Sequence, residues 1–202
     1  MVKTDKAVKT DKANTYVNEF IETLKSTDLS ELDKIIDILE SARREGKQIF
    51  VIGNGGSAAL ASHFACDLGK GTIQDPHDEN EKRFRVMSLT DNTALMTAYS
   101  NDIGYEHVFS EQLKNLVQGG DIVIGISSSG KSRNVINAIN LAKRMKAKTV
   151  GLVGFDGGQL KNMADYGIWV RKNDYGMVED VHSMIQHMIC SILRERIKNY
   201  RK

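Results

Sequence analysis

The sequence predicts an α/β protein, a doubly wound, five-stranded parallel sheet flanked by helices. Three observations carry that expectation. Short apolar runs recur along the chain, and amphipathic helical patterns alternate with them. Two of the runs also feed directly into glycine–serine turns that open helices.

The elements follow in order. Residues 1–13 carry an unchanged hexapeptide duplication, Val-Lys-Thr-Asp-Lys-Ala at 2–7 and 8–13, with too little apolar surface to offset ordering; they read as a flexible arm. Two helices are expected over 15–46, from Val17, Phe20, Ile21 and Leu24 and then Leu32, Ile35, Ile36 and Leu39, each at i, i+3, i+4, i+7 spacing. Thr27 or Asp28 is a candidate cap for the second, and Gly46 its stop. Gln48–Ile52 reads as a strand, Gly56–Leu68 as a helix and Phe84–Leu89 as a strand. Helical stretches follow near Thr93–Ala98 and Tyr105–Val117. Then come strand Asp121–Ile126, helix Ser132–Met145, strand Thr149–Val153, a short helix at Gln159–Met163, strand Tyr166–Val170 and a terminal helix over Met177–Tyr200. Gly71–Lys82 holds the only proline, Pro76, among many charges and reads as a mobile surface loop.

Composition narrows the function classes. A chain of 202 residues, 41% apolar and 27% charged, is sized for a single globular domain, here 14–202. Its net charge of +2 is unevenly placed: the arm carries +2, residues 194–202 carry +4, and the body is −4. A mildly acidic body lacks the broad positive face of a nucleic-acid-binding domain. No apolar run approaches the ~20 residues that span a bilayer, and Val2–Ala13 offers no hydrophobic leader core. Cys66 and Cys190 stand in isolated contexts, which fits a reducing cytoplasm better than a disulfide framework.

Chemistry concentrates in the two turns. One is Gly53-Asn54-Gly55-Gly56-Ser57, the other Ser127-Ser128-Ser129-Gly130-Lys131-Ser132. In an open parallel sheet ligands bind at the carboxyl ends of strands. Glycines admit close backbone approach, helix-start N–H groups face an anion, and serine hydroxyls add donors of adjustable direction. The pair therefore reads as a phosphate site, against the plainer reading of two hydroxyl-capped turns. Gly125–Ser132 also satisfies the nucleotide P-loop pattern G-x-x-x-x-G-K-[ST], with Asp156 available as a magnesium-side carboxylate. Gly125 belongs to the preceding strand, however, which leaves a short serine turn in place of a wide glycine loop.

Histidines and carboxylates form a second constellation. His63 and Asp67 are i and i+4 on one helix, while Glu179, His182 and His187 share the last helix. His77 belongs to the charged loop. Two imidazoles and two carboxylates suit a tetrahedral zinc site or proton transfer near neutral pH. A helix-surface pair at His63/Asp67 and a core or interface histidine at His187 are equally compatible with the spacing.

Taken in order, Gly53–Ser57 with His63-Phe64-Ala65, the segment Leu89–Glu106, GISSSGKS, Val150–Gly158 and the Glu179-Asp180-Val181-His182 turn resemble the sugar isomerase (SIS) domain family. The likeness is closest to its phosphoheptose isomerases, over about residues 15–195. The resemblance implies the SIS fold, a homotetramer packed through its N-terminal helices with active sites shared between subunits, and a phosphorylated sugar as substrate. It implies that Ser57, Ser127, Ser128, Ser129 and Ser132 hold the phosphate, and that Asn54, Gly55, Gly56 and Asn92 line the sugar. It also implies one zinc ion on His63, Asp67, Glu179 and His187, with Asp67 as general base and His187 as acid/base. The implied reaction converts sedoheptulose 7-phosphate to D-glycero-D-manno-heptose 7-phosphate for surface polysaccharide. Four positions depart from the family pattern: Asp67 stands for glutamate, Glu179 for glutamine, and Asn92 and Gly176 for aspartates. Lys131 replaces a usual asparagine and adds charge beside the serines. Some SIS proteins bind phosphosugars without catalysis, in regulatory or replication-initiator-associated roles, which is the competing expectation.

Overall fold

The computed structural model describes the backbone of residues 4–200 and the side chains of residues 11–200. Five strands form one all-parallel sheet: β1 (Gln48–Ile52), β2 (Arg85–Ser88), β3 (Ile122–Ser127), β4 (Lys148–Val153) and β5 (Tyr166–Trp169). Their spatial order is β2-β1-β3-β4-β5. The chain leaves β1 toward β2, then crosses back to β3 on the other side. The strand order therefore reverses between β1 and β3, and the crevice above that point is where such sheets bind ligands.

The apolar strand runs are explained by burial on both faces. In β1, Ile49 and Val51 enter one core with α2 (Leu32–Glu45), α3 (Gly56–Gly69) and α8 (Tyr175–Tyr200). Phe50 and Ile52 enter the opposite core, with α5 (Val108–Leu116) and α6 (Arg133–Arg144). Phe64 from α3 and Phe109 from α5 are about 1% exposed or less, each anchoring one side. Burying side chains of this size stabilises by roughly 1.5–3 kcal/mol apiece.

Helix ends depart from expectation in instructive ways. α1 runs Thr4–Ser26, so residues 4–13, set apart as an arm in sequence, form its first turns; residues 1–3 lie outside the described residues. Lysine and alanine are good helix formers, and the helix continues outward from the part anchored on α8. Phe20 packs on the core that α8 shares, the Tyr16 hydroxyl donates to Asp180 Oδ2 at 2.7 Å, and Lys172, just before α8, pairs with Glu19 at 2.9 Å. Tyr16, Val17 and Ile21 remain exposed. α2 starts from Glu31 without a side-chain cap, because Asp28 Oδ1 instead accepts the Ser30 N–H in a local turn. Gly46 ends it as expected, at φ +67°, donating to the carbonyls of Ala42 and Arg43. A 3-10 turn, Tyr105–His107, precedes α5, and α4 spans Thr93–Asp102. The 71–82 loop is organised by its own carboxylates: Glu81 accepts the N–H groups of Gln74 and Asp75, both at 2.9 Å. Among the described residues no helix is long and apolar enough to cross a membrane.

Candidate functional site

β1 and β3, the strands at the reversal point, deliver the two turns side by side. At the end of β3, Ser127 and Ser128 are buried and Ser127 Oγ lies 3.0 Å from Ser132 Oγ. Ser129 Oγ accepts the Lys131 N–H at 3.2 Å. Among the described residues the buried Ser128 hydroxyl has no partner, so the cradle keeps an unused donor. Its backbone is clamped from outside: Gly154 N–H donates to the Ser128 carbonyl, and Leu160 N–H to that of Gly130. Ser132 opens α6, whose first N–H groups add a positive dipole end.

The first turn is shaped by Gly53 and Gly55. A Cβ on Gly53 would come 2.6 Å from the Ser57 carbonyl oxygen, and Gly55 sits at φ +54°. Ser57 is buried at the start of α3. Asn54 is fixed by Asn134: each amide donates to the other, at 2.9 and 2.8 Å, and the Tyr105 hydroxyl donates to Asn54 Oδ1 at 2.8 Å. Asn54, Tyr105, Ser132 and Asn134 line a cavity of about 290 Å³ beside the cradle. Sequence reasoning missed Asn134 and Tyr105; the only hint was an amide two residues past Ser132 on the helix's first turn.

Lys131 does not add free charge to the cradle. Its Nζ lies 2.8 Å from Asp156 Oδ2. The Lys131 hydrogen bond, with the Gly158 N–H, holds the Asp156 carboxyl below its ordinary range. Gly125 lies within β3, where a Cβ would come 2.9 Å from Val135. A glycine needed for strand–helix packing and a lysine committed to Asp156 do not make a nucleotide P-loop.

α3 and α8 bring three donor atoms together. His63 Nε2 is 3.4 Å from Asp67 Oδ2, His187 Nε2 is 3.4 Å from His63 Nε2, and His187 Nε2 is 3.6 Å from Asp67 Oδ2. The two rings meet edge to face, with centroids 4.9 Å apart. Ligands of a tetrahedral ion with ~2 Å bonds are roughly 3.3 Å apart. Two imidazoles and a carboxylate in this triangle are thus a donor set that fits a zinc-like cation. Glu179 is not part of it. Eight positions from His187 on one helix is about 12 Å of rise, and its carboxylate lies against Gly56, whose added Cβ would overlap it. Glu179 instead shares a cavity of about 240 Å³ with Gly56, Ser57, His63 and His182. Asn92 Oδ1 caps α4 by accepting the Leu95 N–H at 3.0 Å.

Sequence alone assigned no role to two further side chains of α8. Gln186 is buried and donates from Nε2 to Asp67 Oδ2 at 2.7 Å. His182 is buried, with Nε2–H donating to the Val153 carbonyl at 3.2 Å and Nδ1 unpartnered. Burial pulls the His182 imidazole down from 6.5 to about 4. The unfolded chain therefore takes up a proton, as pH drops below about 6.5, that the folded chain refuses until about pH 4. Stability is full above that window, falls within it by up to about 3 kcal/mol, and levels off below it. Urea unfolding at pH 7.5 and 4.5 should show the native chain losing more stability than His182→Gln; equal losses would contradict a buried neutral imidazole. A separate cavity of about 340 Å³, beside Asp28, Trp169 and Arg171 at the β5 edge, touches none of the candidate residues.

A reversal-point anion cradle and a His–Asp–His group on one chain define an α/β protein equipped with both phosphate-type turns and acid–base, metal-binding side chains. The chain belongs to the SIS domain family, whose model matches residues 14–154. A phosphoheptose isomerase of Aliarcobacter butzleri is 37% identical over 168 residues, covering 83% of this chain and 86% of the relative. A probable phosphoheptose isomerase of Thermoplasma acidophilum is 36% identical over 184 residues, or 91% and 98%. The solved phosphoheptose isomerase GmhA from Neisseria gonorrhoeae superposes with a TM-score of 0.82 at 28% identity, over 91% of this chain and 97% of that one.

Proposed function

We propose that the chain is an aldose–ketose isomerase of phosphorylated heptose, interconverting sedoheptulose 7-phosphate and D-glycero-D-manno-heptose 7-phosphate. The observation that carries this is that one chain holds both the His63–Asp67–His187 triangle and two phosphate-type turns, with His63 sharing a cavity with Ser57. The names of the relatives above support the substrate class.

Ser57, Ser127, Ser128, Ser129 and Ser132 hold the phosphate through hydroxyls and helix-start amides, fixing the open-chain sugar by its remote end. Asn54, oriented by Asn134 and Tyr105, borders the sugar with Gly55 and Gly56. Asp67 takes the proton from C2 of the aldose while His187 supplies one to O1, giving an enediol. Loss of the O2 proton and delivery of a proton to C1 then complete the ketose, with no net gain or loss of atoms. His63, Asp67 and His187 would hold a zinc ion, which when bound supplies Lewis-acid stabilisation of negative charge on neighbouring oxygens. Glu179 faces the same cavity as His63 and contributes polarity to the sugar wall, not a ligand to this triangle. The exposed Tyr16, Val17 and Ile21 stripe on α1 supports homotetramer packing, and two free thiols suit the cytoplasm.

Purified protein incubated with sedoheptulose 7-phosphate and zinc should form the aldose, followed by NMR. Tight phosphosugar binding without turnover would overturn the isomerase reading in favour of a binding protein.

A further inference from the structure

We propose that Gln186 is the positioning residue for Asp67: its buried amide holds the carboxylate oxygen that faces both histidines. The inference rests on the proposed function only for its kinetic consequence; its geometry stands alone.

Gln186 sits in an apolar stretch of α8, between Ile185 and His187, and is fully buried. A primary amide there is costly unless it is hydrogen-bonded. Its Nε2–H reaches Asp67 Oδ2 at 2.7 Å, the short range of a charge-assisted bond. The opposite amide orientation would set Oε1 against the carboxylate oxygen, so the donor assignment is chemically forced. Oε1 itself has no partner among the described residues. The side chain thus leaves its own acceptor unsatisfied while it serves Asp67.

The atom it serves is the one that matters. Asp67 Oδ2 is also the oxygen 3.4 Å from His63 Nε2 and 3.6 Å from His187 Nε2. A carboxylate oxygen accepts from more than one direction, so an amide N–H on one side leaves the histidine side open. Aspartate is one methylene shorter than glutamate and its side chain here is 30% exposed. Without the amide, its carboxylate could turn toward solvent and away from the triangle. Because Gln186 directly precedes His187, one helix presents both the histidine and the anchor for the carboxylate across from it. Outer-shell hydrogen bonds of this kind orient metal-binding carboxylates and tune their affinity.

The test is a double-mutant cycle on zinc affinity, read by competition with a chromogenic chelator. Gln186→Met keeps the volume and removes the donor. It should weaken zinc binding by roughly 10–100-fold, and lower kcat for sedoheptulose 7-phosphate with little change in KM. In an Asp67→Ala background the same change should cost nothing further, a result that a merely structural role would not produce. Gln186→Asn withdraws the amide by one methylene and should show a smaller loss of the same pattern. Unchanged affinity in both variants, an equal loss in the Asp67→Ala background, failure of both to fold, or a parent that binds no zinc would each overturn the inference. A parent that binds zinc with this coupling yet turns over no sugar overturns the proposed function and leaves the Gln186 role standing.

Discussion

Replacing His187 by alanine is expected to lower isomerase turnover by roughly 10²–10⁴-fold, the usual contribution of a positioned acid–base group. The side chain is 54% exposed, so its removal opens no core cavity and the fold should persist. Phosphate binding should persist too, because the serine cradle is built on β3 and α6, whereas His187 belongs to α8. The expected signature is therefore a fall in kcat with KM little changed, the pattern of an interaction made in the transition state. Asp67 stays anchored by Gln186 in this variant, so the loss reports His187 and not a collapsed carboxylate. Steady-state kinetics with sedoheptulose 7-phosphate, alongside phosphate binding by calorimetry, make the measurement. A variant retaining more than a tenth of the parental kcat would remove His187 from the mechanism.

The second large effect is structural and belongs to the cradle. Gly130 sits at φ +64°, and a Cβ built there would fall on the Gly157 carbonyl oxygen. That oxygen belongs to backbone, which cannot rotate aside as a side chain would. Gly158 answers from the other side at φ +52°, so the two glycine turns meet backbone to backbone. A left-handed conformation in a non-glycine residue costs about 1–3 kcal/mol, and overpacking adds about 1–3 kcal/mol. Gly130→Val should accordingly lose about 4 kcal/mol in urea unfolding, or relieve the strain by lifting the serine loop off the 154–160 turn. The second outcome would appear as a loss of phosphate affinity that Gly46→Val, at an open position outside the site, does not share. A Gly130→Val protein with both parental stability and parental phosphate affinity would mean that the loop is not clamped as described.

How far the sequence reached can be judged at particular residues. The strands were legible because both faces of the sheet are covered, so Gln48–Ile52 and the run ending at Ser127 read as near-continuous apolar segments. The cradle was legible because its serines are contiguous and follow a strand. His63 and Asp67 were legible as a pair by helical spacing alone. Glu179, expected as a ligand through the family resemblance, turns its carboxylate to Gly56 within this chain, a packing that order along α8 does not reveal. Lys131 looked like a phosphate partner because nothing local announced that Asp156, 25 residues on, would claim it. Gln186 escaped because a lone amide among Met, Ile and His carries no periodic signal.

By itself, then, the sequence determined the element types, the two anion-binding turns and the short-range His63–Asp67 face. Those depend on backbone preference, capping and burial periodicity, all written within a few residues. The tertiary structure alone decided the β2-β1-β3 reversal that sets the turns side by side. It also decided the register of α3 against α8, which carries His187 to His63 across 124 residues and slides Gln186 beneath Asp67. Such meetings are fixed by how whole faces pack, and side-chain packing across two helices leaves no local pattern to read.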